Sequence, residues 1–291
     1  MTKTRRPKKY YLTRIAASFF VFVAAAFILF PLKGYIPVLM YHYIVPQKEA
    51  GATSLLLGVK EFKRQMWFLK TFGFRTISLD ELYAIKTGLA KARGREVVVT
   101  FDDGDRSFLQ YALPILERYQ IKSVNFVVWN FVEQQQHNSM NLKEVEALSH
   151  HPLVTIGSHT LTHSPLRDVS IEQAKVEIVE SKKKLEEALN KEIHYFCYPT
   201  GSFNEEIMQL VQDAGYRLAF RTAAKHSKGY PTTLYSLYRI KINPKHNLFI
   251  FWLEVAGFID YTKRAEAFFL RLTGNKPNDK LFVYRSHPET T

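Results

Sequence analysis

Two adjacent carboxylates are the clearest chemical feature of the chain. Asp102 and Asp103 follow the run 97–100, whose β-branched residues favour a buried strand, and they precede Gly104. Buried carboxylates are costly unless they are paired or bind a metal, so these acids do not serve the core. A turn at Gly104 can bring both carboxylates into one cleft, where one can bind a metal and the other can transfer a proton. Two solvated acids in a turn are the alternative interpretation.

Two histidines form a second cluster. His159 and His163 have the spacing His-x-x-x-His and follow the stretch 153–156, which is typical of another short strand. This spacing predicts a helical turn with both imidazoles on one face, where they can share a cation. Two imidazoles and one carboxylate form a common catalytic metal site that leaves positions open for water and substrate. A solvent-facing pair of histidines that caps a helix is the alternative.

Two further apolar strands are predicted to end in polar or turn residues. The stretch 35–43 delivers His42, and the aromatic stretch 195–198 leads into Pro199, Thr200 and a glycine. Four predicted strands therefore end in polar or turn residues that could take part in a reaction. Barrels of parallel strands place their active sites at the C-terminal ends of the strands. Strands that alternate with helices imply parallel βαβ units in a barrel or an open sheet.

The motifs at 100–104 and 159–163, taken in this order, resemble those of the polysaccharide deacetylase family, also called the NodB homology domain or carbohydrate esterase family 4. The resemblance extends over residues 35–243 and implies a distorted (β/α)₇ barrel. The early motif at 39–42 resembles the branch that deacetylates poly-β-1,6-N-acetylglucosamine. A metal-dependent hydrolase that removes N-acetyl groups from a cell-surface polysaccharide is implied. A peptidoglycan or chitin-type deacetylase and a catalytically weak polysaccharide-binding protein are the alternatives.

The resemblance also implies roles for individual residues. It assigns Asp103, His159 and His163 as ligands of a divalent metal, Asp102 as the general base and His42 as the general acid. Zinc suits a set of two histidines and one aspartate, and Co²⁺, Ni²⁺ or Mn²⁺ are the other candidates.

The family resemblance assigns supporting roles as well. The backbone N–H of Thr200, which follows Pro199, is expected to help hold the oxyanion, and Thr160 is expected to fix the metal loop. If His42 is not the acid, His226 and His246 are the next candidates.

The third motif departs from the family pattern. Many members have an arginine there that orients the base, whereas this chain has Cys197, its only cysteine. Thr200 replaces the usual aromatic residue, and a downstream Asp-Trp pair is absent. Arg106, Arg221 and Arg239 are the candidates to replace the missing arginine. Cys197 itself is predicted to be a small buried filler rather than a nucleophile.

The N-terminal region predicts export. Residues 1–14 contain six basic residues and no acid, and residues 15–32 form an apolar run of about 18 residues, close to the lower limit for a membrane span. We expect a cytoplasmic leader, a single-pass anchor in the cell membrane and an extracytoplasmic deacetylase domain at 33–243. A signal peptide cleaved near the alanines at 24–26 is the alternative. Residues 244–291 are expected to form a C-terminal helical extension.

Composition limits the remaining functions. The chain has 291 residues, of which 46% are hydrophobic, so it can bury a substantial core. Its net charge of +13 includes the six charges of the leader and suits anionic surroundings such as lipid headgroups or wall polymers. Nucleic acid is not an expected partner, because no nucleic-acid motif is present and the basic residues are scattered.

Helical periodicity predicts helices between the strands. Pro114 is expected to kink the helix that contains it, and Ser170 is expected to open a long amphipathic helix. The apolar stretch 248–253 predicts a helix that packs on the barrel, with a helix lying on the membrane surface as the alternative. The other predicted helices cover residues 60–72, 107–119, 141–149, 170–190 and 204–214.

Overall fold

The computed structural model describes residues 35–46, 53–222 and 232–257, together with Ser18. The predicted leader, nearly all of the predicted membrane anchor, and the part of the C-terminal extension after residue 257 lie outside the described residues. Within the described ranges, no helix is both long enough and apolar enough to cross a membrane.

The central element is a parallel β-sheet in which strands neighbouring in space are mostly successive along the chain. Its order is β10-β9-β8-β7-β6-β5-β1-β11, and β4 pairs with the beginning of β5. A separate parallel pair, β2 and β3, lies outside this order. The bounds are β1 Val38–Tyr41, β2 Tyr43–Val45, β3 Leu56–Gly58, β4 Arg75–Thr76, β5 Glu96–Phe101, β6 Ser123–Val127, β7 Val154–Ser158, β8 Tyr195–Cys197, β9 Leu218–Arg221, β10 Leu237–Tyr238 and β11 Ile240–Lys241.

Helices connect most of the strands, as βαβ units require. Their bounds are α1 Val59–Thr71, α2 Leu79–Lys86, α3 Leu113–Tyr119, α4 Trp129–Glu133, α5 Leu142–Ser149, α6 Ile171–Leu189, α7 Glu205–Asp213 and α8 Leu248–Val255. Apart from the helix predicted over 107–119, which is α-helical only from Leu113, these bounds confirm the predicted helices to within a few residues. The side chains of Ser170, Asn141 and Asn204 each cap the helix that follows.

One short segment almost closes the sheet into a barrel. Strand β10 pairs with β9 at one edge, and β11 pairs with β1 at the other, so only Arg239 separates the two edges along the chain. The Arg239 N–H donates to the Arg221 carbonyl, and the Ile242 N–H donates to the Met40 carbonyl. The expected barrel is therefore present as a nearly closed parallel barrel.

The two faces of the strands contact different cores. In β5, Val97 and Val99 belong to the cluster that includes the buried residues of the helices, whereas Val98 belongs to a second cluster formed largely by other strands. Successive side chains on a strand point to opposite faces, so the second cluster fills the barrel. Because both faces are covered, the strands are almost continuously apolar.

Two local predictions differ from the structure. The strand predicted over 35–43 ends at Tyr41, and the chain resumes at Tyr43 as β2, which pairs with β3 instead of continuing in the barrel. Before α3, the chain forms a π-helical turn, in which the Leu113 N–H donates to the carbonyl of Phe108. Pro114 lies in the first turn of α3, where its missing N–H is tolerated, so it does not kink a longer α-helix.

Candidate metal centre

The strand order brings the predicted ligands to one end of the barrel. Asp103 follows β5, and His159 follows β7, two strands away in the same parallel sheet. The Oδ1 atom of Asp103 lies 3.8 Å from Nε2 of His159 and 3.5 Å from Nε2 of His163. These three side chains form a group of possible metal ligands whose ligand atoms all lie within 4.8 Å of one another. This spacing suits atoms that each bind one metal ion at about 2 Å.

The two oxygens of the Asp103 carboxylate differ in their hydrogen bonding within the part of the chain that the structure describes. Its Oδ1 atom is buried and accepts no hydrogen bond among the described residues, whereas its Oδ2 atom accepts one from the Tyr43 hydroxyl at 2.6 Å. Burial first, and the Asp103 charge next, raise the pKa of the Tyr43 hydroxyl, which therefore stays protonated and donates. An orphaned carboxylate oxygen beside two imidazole nitrogens is the donor set that a divalent cation fits.

His159 is held in the tautomer that a metal ligand needs. Its Nδ1 atom lies 2.7 Å from the carbonyl oxygen of Cys197, and a carbonyl only accepts, so Nδ1–H donates. Burial lowers the pKa of His159 to about 4, so the ring is neutral at neutral pH. The lone pair of Nε2 is therefore available on the side that faces Asp103. A hydrogen bond from the second ring nitrogen to a carbonyl commonly orients metal-binding histidines.

The two imidazoles come together without the predicted helical turn. Residues 159–163 form a loop in which Thr160 and His163 have φ angles of 70° and 68°. The Thr160 hydroxyl accepts a hydrogen bond from the His163 N–H at 3.0 Å. A carboxylate on α6, Glu177, accepts further bonds from this loop. The prediction of a helical turn was wrong because these local bonds, rather than an i,i+4 ladder, set the backbone.

Asp102 is held by an arginine that lies outside the third motif. Nη1 and Nη2 of Arg239 donate to its two oxygens at 2.6 and 2.7 Å, and both side chains are buried. Burial alone would raise the pKa of Asp102, but the charge and hydrogen bonds of Arg239 outweigh it and hold the pKa below its ordinary value. Of the three candidate arginines, Arg239 is therefore the one that contacts the predicted base.

Cys197 lies beside Asp102 and Arg239. Its Sγ atom accepts a hydrogen bond from Nη2 of Arg239 at 2.9 Å, and burial raises the pKa of its thiol, which is therefore neutral. Asp102, His159 and Cys197 form a second geometric group of possible ligands. Arg239 engages both oxygens of Asp102, so this second group suits a metal less well than the first.

The predicted proton donor lies beside the predicted base. Nε2 of His42 is 3.7 Å from Oδ2 of Asp102, and the side chain is 15% exposed at the mouth. Burial lowers the pKa of His42, an effect that the charges of Asp102 and Asp103 partly offset. The alternative acid His246 instead bonds to Glu254 at 2.8 Å. The other alternative, His226, lies outside the described residues.

The turn after β8 has a strained backbone. Residues Pro199–Gly201 form a 3₁₀ turn, and Thr200 has a φ angle of 55° and an exposed side chain. The Thr200 N–H remains a predicted oxyanion donor.

Sequence reasoning missed two polar residues at this site. The sequence predicts Tyr43 as part of a strand and Glu177 as one acid of an amphipathic helix, yet each contacts the predicted metal-binding segments. The apolar periodicity of α6 carried one signal, since Glu177 falls on the buried face between Ala174 and Ile178.

Comparisons with known proteins agree with this geometry. A model of the polysaccharide deacetylase family matches residues 90–219. YxkH of Bacillus subtilis, named as a polysaccharide deacetylase, is 28% identical over 212 residues that cover 72% of each chain. A poly-β-1,6-N-acetyl-D-glucosamine N-deacetylase of Staphylococcus epidermidis is 25% identical over 177 residues, 57% of this chain and 61% of that one. The solved structure of the Streptococcus pyogenes deacetylase PplD, in complex with acetate, is similar with a TM-score of 0.65 and 28% identity. That match covers 72% of this chain and 93% of the PplD chain.

Proposed function

The chain contains a domain of the polysaccharide deacetylase family, and from this premise we propose that it is a metal-dependent hydrolase of N-acetyl groups on a cell-surface polysaccharide. The observation that carries the metal dependence is the convergence of the orphaned Oδ1 of Asp103 with the Nε2 atoms of His159 and His163. Zinc is the favoured metal for this donor set, followed by Co²⁺, Ni²⁺ and Mn²⁺. When bound, such a cation lowers the pKa of a water and polarises a carbonyl group.

The neighbouring side chains supply the proton transfers. Hydrolysis joins the oxygen of water to the acetyl carbon, breaks the amide C–N bond and gives acetate and a free amine. Asp102 is kept ionised by Arg239 and accepts the proton of the attacking water. His42 donates a proton to the departing amine. Because His42 is neutral at rest and lies 3.7 Å from Asp102, the proton taken up by Asp102 is the nearest supply.

The relatives support a substrate class for this proposal. The staphylococcal relative is named for poly-β-1,6-N-acetyl-D-glucosamine, which makes a polymer of N-acetylated amino sugars the first candidate. Peptidoglycan and chitin are the alternative polymers. A protein that only binds polysaccharide would need neither a held base nor a histidine beside it, so Asp102 and His42 favour turnover.

Acetate release tests the proposal. We expect the purified full-length protein to release acetate from at least one N-acetylated glycan in a panel of poly-β-1,6-N-acetylglucosamine, peptidoglycan and chitin oligomers. A chelator should abolish the release, and added Zn²⁺ or Co²⁺ should restore it. The variant His159→Ala, which loses one imidazole, should bind no stoichiometric metal and release no acetate. Equal metal content in His159→Ala and wild type, or release that is insensitive to chelator, would contradict the metal assignment.

We also propose that the domain works outside the cytoplasm, held to the cell membrane by residues 15–32. The basic leader followed by an apolar run supports this orientation. Reporter fusions placed after Lys33 should be active only if they require export. Full-length protein in the cytosolic fraction would contradict the proposal, and a product that starts near Phe27 would indicate a secreted protein with a cleaved signal.

A further inference from the structure

Among the described residues to which no role has been assigned, Tyr43 contacts a predicted metal ligand, Asp103, directly. Its hydroxyl donates to Oδ2 of Asp103 at 2.6 Å, a short bond to a charged acceptor. The other oxygen of the same carboxylate, Oδ1, is the one that faces His159 and His163. Tyr43 therefore takes one of two chemically equivalent oxygens and leaves the other for a cation.

The fold fixes the position of Tyr43 from both sides. The chain leaves the barrel at His42, and β2 then pairs with β3 in register, with Tyr43 opposite Leu56. The next residue, Ile44, is fully buried, and its N–H donates to the Ser107 hydroxyl at 3.2 Å. The Ser107 N–H in turn donates to Oδ1 of Asp105, two residues beyond the predicted ligand. The tyrosine and the carboxylate it contacts are thus tied to the same turn.

The side chain of Asp103 needs a second contact to fix its orientation. Its backbone has a φ angle of 71°, a left-handed conformation that aspartate adopts more readily than most residues, and this conformation does not by itself fix the carboxylate. The carboxylate can rotate about its side-chain bonds unless another group holds it. The Tyr43 hydroxyl is the partner that the described residues supply for this purpose.

We propose that Tyr43 is a positioning residue of the metal centre, whose hydroxyl holds Asp103 so that the carboxylate binds the cation through Oδ1 alone. This inference rests on the proposed metal-dependent function. It predicts that the hydroxyl of Tyr43, and not its ring, sets the affinity for metal. Removal of outer hydrogen-bond partners of metal ligands typically weakens metal binding by about 10–100-fold.

The variant Tyr43→Phe tests the proposal, because it deletes the hydroxyl and keeps the ring. Tyr41→Phe is the matched control: Tyr41 lies two residues away, and its hydroxyl donates to buried Gln65, which is not a predicted ligand, at 2.9 Å. Both variants lose one tyrosine hydroxyl bond, but only one of these bonds reaches the metal centre.

The measurement is the dissociation constant for Zn²⁺ of the full-length protein, obtained by competition with a chelator, with the visible absorption of the Co²⁺ form as a second readout. We expect Tyr43→Phe to bind Zn²⁺ about 10–100-fold more weakly than wild type and to change the Co²⁺ spectrum. Tyr41→Phe should match wild type in both readouts, although its metal-free form should be less stable.

Three outcomes would overturn the proposal in distinguishable ways. Unchanged Zn²⁺ affinity in Tyr43→Phe would reject the positioning role and leave the metal centre intact. Equal losses in Tyr43→Phe and Tyr41→Phe would show a general effect of stability. Absence of metal from the wild-type protein would reject the proposed metal dependence itself.

If Tyr43→Phe fails to fold, Tyr43→His, which keeps a ring donor, should bind Zn²⁺ more tightly than Tyr43→Leu, and equal affinities would reject the role.

Discussion

At the scale of single residues, the two adjacent aspartates differ in what surrounds them. Both oxygens of Asp102 are bonded to Arg239, whereas Asp103 has one oxygen bonded to Tyr43 and one that has no hydrogen-bond partner among the described residues. The first arrangement keeps a carboxylate ionised without making it available as a metal ligand, and the second leaves a ligand atom open. Neighbours along the chain thus acquire different chemistry from partners far away in sequence.

This difference gives a prediction for the two residues proposed to transfer protons. Asp102→Asn keeps the size of the side chain but removes the proposed base, and His42→Ala removes the proposed proton donor. Each variant should lower the turnover of acetate release by about 10²–10⁴-fold, the usual contribution of a positioned acid or base. Neither should lose its metal, because neither residue is a predicted ligand, and metal content measured on the same samples is the control. Near wild-type turnover in His42→Ala with metal bound would place the acid elsewhere.

At the scale of elements, helix α6 supports the loop that carries both histidines. Glu177 is 1% exposed and accepts hydrogen bonds from the N–H groups of Leu161 and Thr162, both at 2.9 Å. The Thr162 hydroxyl donates to its other oxygen at 2.7 Å. A buried carboxylate is stable here because three donors satisfy it. The helix therefore fixes the distance between the backbone of the loop and the barrel.

We predict that Glu177→Ala weakens both folding and metal binding. It leaves the Leu161 N–H without its acceptor, so the free energy of unfolding should fall by about 1–3 kcal/mol. Zn²⁺ affinity should also fall, because the loop that carries His159 and His163 loses three hydrogen bonds that fix its backbone. Urea denaturation and chelator competition measure the two effects. Glu187→Ala, on the exposed face of the same helix, should change neither, and an equal effect in that variant would contradict the specific role.

At the scale of the whole molecule, the closure of the barrel and the ionisation of Asp102, the proposed base, depend on one residue. Arg239 lies between β10 and β11, the two edge strands, and its guanidinium crosses the interior to reach Asp102. The guanidinium carbon also lies 5.5 Å from the centroid of the Phe126 ring, which belongs to the cluster inside the barrel. This buried ion pair therefore connects the edges of the sheet to its centre.

Breaking this pair should destabilise the entire domain. Arg239→Ala leaves the Asp102 carboxylate buried without its counter-ion, so we expect the free energy of unfolding to fall by about 3–5 kcal/mol. Urea denaturation followed by circular dichroism measures the loss. Adding Asp102→Asn to Arg239→Ala removes the uncompensated charge and should recover part of it. Arg118→Ala, at an exposed position on α3, should have little effect, and a similar loss there would refute the assignment.

Local sequence predicted the elements and the residues that gather at the end of the barrel. Asp102, His159 and His42 each follow a short apolar run that predicts a strand. Because the C-terminal ends of parallel strands lie at one end of a barrel, the proximity of these side chains can be predicted without the three-dimensional structure. The pairing of Arg239 with Asp102 spans 137 residues and depends on how the barrel closes. Sequence spacing therefore left three arginines as equal candidates. The contact of Tyr43 with Asp103 was missed for the same reason, since it requires the chain to leave the barrel at His42.

The contact between Arg239 and Cys197 bears on how such chains should be compared across evolution. Nη2 of Arg239 lies 2.9 Å from Sγ of Cys197, so the two side chains pack against each other beside the Asp102 carboxylate. An arginine at position 197 would enter the space that Arg239 fills, and two guanidinium groups there would collide and repel. Among homologues, positions 197 and 239 should therefore covary, with arginine at one and a small neutral residue at the other. A search that requires arginine in the third motif would discard this chain as inactive, although the guanidinium of Arg239 reaches Asp102 from the segment between β10 and β11.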